Sequence, residues 1–263
     1  MLAGLILGLS ISSAHASAND CDDPNPLRFS LIPRTDLAKQ LEDHRPLLQH
    51  LERTLGRKVV VIQPSSYSTV IEGLLAGTVD LASMGPASYS IARNRDPSIT
   101  AFATWTMQAG TFGKAAAHTY YSLLITRRDR GLNDLAAFKG RSLSLTDPAS
   151  TSGSVIPREE FGRMVGMRLE DYFGRVTYSG SHDRSIEAIR RGYADAAFVA
   201  SEHLDEAIRQ RRIDMGELTV LWRSSPIPHD PLVYRGKLCD GLKGKIRQAF
   251  LADNPKTRKR WRT

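Results

Sequence analysis

Three hydroxyl residues in a row, Ser150, Thr151 and Ser152, stand between Asp147-Pro148-Ala149 and Gly153. The alternation at Leu143 and Leu145 before them reads as a strand, and the residues after Gly153 read as a helix. Asp-Pro ends the strand, because proline disfavours the helical region in the residue before it. The hydroxyls therefore fall where a helix begins. Backbone N–H groups lack intrahelical partners there, and the helix dipole is positive. That combination can hold a tetrahedral oxyanion without a cationic side chain. An ordinary helix cap is the alternative, since Ser and Thr are favoured at that position.

Five other polar residues stand at expected strand ends and helix starts: Tyr67, Tyr120, His182, Glu202 and Asp230. Loops at the carboxyl ends of strands in an open α/β sheet converge on one crevice, which puts these residues on one face. Each also has an ordinary structural role open to it. Tyr67 and Tyr120 can be packing aromatics, His182 a surface residue, Glu202 a partner for a helix dipole, and Asp230 a turn residue. Asp183 and Ser185 can simply cap a helix. No G-x-S-x-G, H-E-x-x-H or G-x-G-x-x-G motif occurs. Gly110–Lys114 fails as a phosphate loop, because its glycines are too close and Ala115 stands where Ser or Thr is required. No Cys/His cluster has metal-ligand spacing. Neither catalytic machinery nor a cofactor or metal site is expected.

The elements that must position these residues form two series. Strands are expected at 27–32, at Val59–Ile62 and at Asp80–Met84, the last ending in a turn over Gly85–Tyr89. Helices are expected at 36–55, with Pro46 as a potential kink, and from Tyr67 to the Gly77 stop. Further strands are expected at 99–105 and at Tyr120–Thr126. The second series runs through a short helix at Leu132–Phe138, the strand at Leu143–Thr146 and a helix from Gly153 to Val165. It continues with a strand at Arg175–Tyr178, a helix to Gly192, a strand at Asp195–Val199 and a helix opening at Ser201. Strand 218–222, a proline-stiffened loop over Ser224–Pro231, strand 232–234 and a helix with Leu242, Ile246 and Phe250 complete the chain.

The two series rhyme. Glu72 to Ala82 and Glu187 to Ala197 both read as helix, glycine stop, Asp and apolar strand. The fold class is therefore α/β, with parallel strands in two lobes, a ligand cleft between them and two crossover strands near 122–126 and 218–223. The expected division is 27–123 plus 220–263 for the first lobe and 124–219 for the second.

With 263 residues, 41% of them hydrophobic and 24% charged, the chain can bury a sizeable core. Its formal net charge is +8, but Lys256, Arg258, Lys259, Arg260 and Arg262 crowd the last eight positions. A basic end without aromatic-interleaved grooves makes no case for nucleic acid. Residues 1–18 read as an export leader: an apolar run, then Ala14-His15-Ala16-Ser17-Ala18, although the basic n-region is missing. The expected product is an exported, soluble protein, and the resemblance described below implies that its compartment is the periplasm. Cys21 and Cys239 can pair in an oxidising compartment or remain free thiols.

Five motifs, in order and spacing, resemble one family. They are Ser66-Tyr67 with Val70-Ile71-Glu72-Gly73, Asp147 to Gly153 with Pro157, Gly180-Ser181-His182, Asp195-Ala196-Ala197, and Pro226 to Val233. Together they resemble the periplasmic phosphonate-binding component of phosphonate, phosphite and phosphate ABC importers, from about Leu27 to Phe250. The resemblance implies a two-lobed fold that closes on a small phosphorus oxyanion and delivers it to a membrane permease. It implies that Ser150, Thr151 and Ser152, completed by Tyr67 and His182, hold the phosphonate oxygens. It also implies that Tyr120, Glu202 and Asp230 surround the substituent and take an ammonium group. Met84-Gly85 departs from the pattern, since many relatives carry an aromatic residue at that strand end. A ligand-binding sensor subunit docking on a receptor or kinase fits the same residues. An enzyme on this scaffold would need a nucleophile or metal that the sequence does not offer.

Overall fold

The computed structural model describes residues 21–33, 37–106, 109–113 and 117–251. The expected leader, Asp36 as a helix cap and the basic end lie outside the described residues. The first alternating run and the continuous apolar run pair as parallel strands. β1 (Leu27–Leu31) lies between β2 (Val59–Ile62) and β3 (Leu81–Ser83). α1 (Leu37–Leu55) and α2 (Tyr67–Leu75) connect them, and α1 accommodates Pro46 without ending.

The residues expected as a turn after β3 instead open α3 (Pro86–Arg95). Pro86 takes the first helical position, where its missing N–H costs nothing and its fixed φ suits the helix. β4 (Thr100–Thr104) follows. The single strand expected from Tyr120 to Thr126 is two, β5 (Thr119–Tyr120) and β6 (Ser122–Arg127). Tyr121 leaves the ladder because its N–H donates to Ser201 Oγ and its carbonyl accepts the Ser201 N–H.

In the second series the helix expected over Leu132–Phe138 shrinks to one 3₁₀ turn, Ala136–Phe138, and β7 (Ser142–Leu145) follows. The helix expected from Gly153 starts two residues earlier. Its π-helical turns, Thr151–Val155 and Pro157–Phe161, run into α4 (Gly162–Val165). Pro157 has no N–H to give, and the Val155 N–H reaches back five residues to the Ser150 carbonyl. Sequence periodicity gave no sign of the one-turn α5 (Leu169–Tyr172). Then come β8 (Arg175–Tyr178), α6 (His182–Arg190), β9 (Ala196–Ala200), α7 (Ser201–Arg209) and β10 (Leu218–Arg223). The proline-stiffened loop holds a short strand, β11 (Ile227–Pro228), ahead of β12 (Pro231–Tyr234) and α8 (Asp240–Leu251).

The strands make two five-stranded sheets, ordered β2-β1-β3-β12-β4 and β10-β6-β9-β7-β8. Both are mixed rather than parallel throughout, because β12 runs against β3 and β4, and β6 against β9 and β10. The segments expected to cross between lobes are β6 and β10, which pair with each other in the second sheet. The crossing itself carries the small β5–β11 ladder, where Tyr120, Ala200 and Ile227 pack together. Apolar clusters cover both faces of each sheet. Phe29, Leu51 and Ile246 lie on one face of the first sheet, and Val70, Leu74 and Val233 on the other. In the second sheet Leu123, Ile186 and Val199 oppose Leu124, Phe161 and Phe198. Burial on both faces is what continuous apolar strands require.

The internal rhyme has a physical basis. Asp80 Oδ2 accepts the Arg28 N–H at the head of β1, and Asp195 Oδ2 accepts the Ser142 N–H at the head of β7. Gly77 and Gly192 stop their helices with φ of 72° and 73°. Cys21 and Cys239 are disulfide-bonded and tie the start of the described chain to the residue before α8.

Candidate functional site

The same internal symmetry builds the site. Ser66 caps α2 by accepting the Thr69 N–H, which makes Tyr67 the first helical residue. Ser181 caps α6 in the same way through Arg184, which makes His182 the first helical residue. α3 begins at Gly85-Pro86, α7 brings Glu202 into its first turn, and Ser150 caps the Thr151 helix by accepting the Gly153 N–H. All these N-termini face one interlobe cleft. The structure brings together in its wall all eight residues singled out in the sequence: Tyr67, Tyr120, Ser150, Thr151, Ser152, His182, Glu202 and Asp230. Among the described residues no lysine or arginine lines it, and the converging dipoles and their N–H groups favour an anion there.

The hydroxyl end is built tightly. Gly153 has no room for a side chain, because a Cβ there would lie 2.2 Å from Thr146 Oγ1. Ser122 on β6 donates its hydroxyl to the Ser152 carbonyl at 2.6 Å, which fixes the turn from beneath. Ser150 Oγ and Thr151 Oγ1 each accept a backbone N–H, from Gly153 and Ala87, so each hydroxyl proton remains available to donate. Ser152 Oγ is buried and has no hydrogen-bond partner among the described residues. His182 Nδ1 accepts the Ala200 N–H at 3.1 Å, with Thr146 Oγ1 also at 3.1 Å. The neutral ring therefore carries its proton on Nε2, as a donor suited to an oxyanion.

Two carboxylates line the same cleft. Glu202 comes from α7, and Asp230 from the turn between β11 and β12. Sequence reasoning missed three residues here. Gly85 and His203 line the cleft, and His229 stands behind it with Nε2 at 2.7 Å from Glu202 Oε2. The Gly-Pro pair at 85–86 is a legible helix start, so Gly85 was within reach of sequence reasoning. His229 lies inside the Pro226–Val233 motif but has no chemistry until Glu202 is placed against it.

The lobes also touch directly. The Ala87 N–H donates to Thr151 Oγ1, Ser88 Oγ donates to the Ala149 carbonyl at 2.8 Å, and the Tyr67 N–H donates to Asp147 Oδ2 at 3.3 Å.

A family model described as "ABC transporter, phosphonate, periplasmic substrate-binding protein" matches residues 29–262. The chain belongs to this family. Among its relatives is the phosphate-import protein PhnD of Mycolicibacterium smegmatis, 29% identical over 88% of this chain and 72% of that protein. Another is the phosphonates-binding periplasmic protein of Escherichia coli, 28% identical over 93% of this chain and 70% of that one. A crystal structure of a binding protein component of an ABC phosphonate transporter from Pseudomonas aeruginosa superposes with a TM-score of 0.82 at 25% identity, covering 91% of this chain and 78% of that one. This phosphonate-binding family member has the two-lobed periplasmic-binding fold, and no described helix is long and apolar enough to cross a membrane.

Proposed function

We propose that this chain is the solute-binding component of an ABC importer and holds a phosphonate, phosphite or phosphate-type oxyanion in its interlobe cleft. The observation that carries this reading is Ser152 Oγ, a buried hydroxyl without a partner among the described residues, where several helix N-termini meet. A buried polar group left unmade costs free energy, and an oxyanion satisfies it. In this reading Ser150, Thr151 and Ser152 donate to the phosphorus-bound oxygens together with N–H groups of the Thr151 helix. Tyr67 and the Nε2–H of His182 complete the cradle. Tyr120, Glu202 and Asp230 surround the substituent, and two carboxylates facing one pocket favour a cation between them. The lobe of residues 27–123 plus 220–263 closes on that of 124–219 about the β5–β11 crossing, and a membrane permease receives the ligand from the exported protein. The cleft presents hydrogen-bond donors, and in this reading its work is binding without turnover.

The test is calorimetric titration of Ser152→Ala and His182→Ala with methylphosphonate. Each lost hydrogen bond to the anion costs about 1.5–3 kcal/mol, so affinity falls at least tenfold while thermal unfolding stays cooperative. Unchanged affinity in both variants would remove the site assignment.

A further inference from the structure

His229 touches each residue at the acidic end of the cleft. Its Nδ1 accepts the Asp230 N–H at 2.9 Å. Its Nε2 stands 2.7 Å from Glu202 Oε2. Its ring lies 5.6 Å, centroid to centroid, from that of Tyr120. The backbone is pinned as well: the His229 N–H donates to the His118 carbonyl, and Thr104 Oγ1 donates to the carbonyls of His229 and Asp230. The ring is thus held in one tautomer. An N–H can only donate, so Nδ1 carries no proton in the neutral ring and Nε2 does. That places the Nε2 proton beside the Glu202 carboxylate, with Nε2 2.7 Å from Oε2. The contact also joins the two halves of the cleft, since Glu202 belongs to α7 and His229 to the turn before β12.

We infer that His229 is a positioning residue: it fixes the Glu202 carboxylate against Asp230 and so sets the preference of the cleft for a ligand with a cationic substituent over its uncharged analogue. This rests on the reading of the cleft as a phosphorus-oxyanion site with an ammonium end. Without His229 the Glu202 side chain regains rotamer freedom, and a cation must order it at its own cost. An alkyl group makes no demand on the carboxylate.

Two substitutions separate the two contacts. Glutamine at 229 places an amide donor near the Nε2 position and keeps the contact with Glu202. Asparagine places an amide near the Nδ1 position and keeps only the contact to Asp230. The readout is the affinity ratio of 2-aminoethylphosphonate to methylphosphonate, titrated against wild type, His229→Gln and His229→Asn. The expected result is a ratio that falls at least tenfold in His229→Asn and stays within about threefold of wild type in His229→Gln. Equal losses of both ligands in His229→Asn, or a ratio that does not change, would overturn the proposal. So would loss of preference in His229→Gln with retention in His229→Asn. Wild-type protein that binds methylphosphonate but shows no preference for the amine would overturn the ammonium reading, and this proposal with it. Binding of neither ligand would overturn the oxyanion reading itself. Independently of the variants, ¹⁵N shifts of the His229 ring in wild-type protein read the tautomer, and a proton resident on Nδ1 would refute the geometry.

Discussion

Thr151 Oγ1 accepts the backbone N–H of Ala87 at 2.9 Å, across the cleft from one lobe to the other. The acceptor stands in the first turn of the Thr151 helix and the donor in the first turn of α3. One hydroxyl therefore serves two purposes. Its lone pair joins the two helix starts, and in the proposed reading its proton is the one donated to the ligand, so that binding and the clasp run through the same atom.

Thr151→Val keeps the shape of the side chain and removes both bonds. The half-buried Ala87 N–H loses its acceptor and, in the proposed reading, the oxyanion loses a donor worth about 1–3 kcal/mol. Calorimetry with methylphosphonate is expected to show a loss of at least tenfold, with cooperative unfolding retained. A loss under threefold would contradict the dual role.

Gly85 has an ordinary backbone conformation, with φ of −66°, so its glycine is a matter of space. A Cβ there would lie 2.8 Å from Thr151 Oγ1. Gly85→Ala should hold the lobes apart without straining α3. Affinity is expected to fall at least tenfold, with a larger radius of gyration at saturating ligand by small-angle X-ray scattering. A closed, tightly binding Gly85→Ala protein would show that the clasp yields.

How much of this was legible in the sequence follows from range. Ser150, Thr151, Ser152 and His182 announce themselves because caps and dipoles act within one turn of the chain. The sheets were legible from apolar runs, and the paired Asp80 and Asp195 from the internal rhyme. The reversed direction of β12 was hidden, because the partner of a returning strand is a matter of topology. The π-helical turns were hidden behind an ordinary helical pattern. His229 was hidden because its role depends on a glutamate 27 positions away along the chain. Gly85-Pro86 was legible as a helix start but read as a turn, since both use the same residues.

The Cys21–Cys239 disulfide closes a separation of 218 residues in the sequence, and neither cysteine lines the cleft. A long loop of this kind stabilises chiefly by restricting the unfolded chain, typically by about 2–5 kcal/mol. The double variant Cys21→Ser, Cys239→Ser is expected to unfold at lower urea concentration by that margin and to bind methylphosphonate within twofold of wild type. Unaltered stability would contradict the bond, and lost affinity would contradict its separation from the site.

Asp205 on α7 is buried beneath the 110–113 loop, where its Oδ1 accepts the Thr111 and Phe112 N–H groups. Burial raises its carboxyl above the ordinary range, against the opposing pull of those backbone N–H groups. A raised folded value means that its contribution to stability is full below the unfolded value and is lost as pH rises through the folded one. The stability of wild type relative to Asp205→Asn should therefore decline on going from about pH 3.5 to pH 7 in urea unfolding. A relative stability that grows over that range would show the shift to run the other way.

The central claim, that the cleft is a phosphorus-oxyanion site with an ammonium end, is tested most directly by titrating ligand-stripped protein in a calorimeter with 2-aminoethylphosphonate, methylphosphonate, phosphite and phosphate in parallel. The account predicts saturable one-to-one binding, tightest for the aminophosphonate, with Ser152→Ala weakening every ligand. Preference for phosphite or phosphate would contradict the roles of Glu202 and Asp230, and binding of none of the four would contradict the claim as a whole.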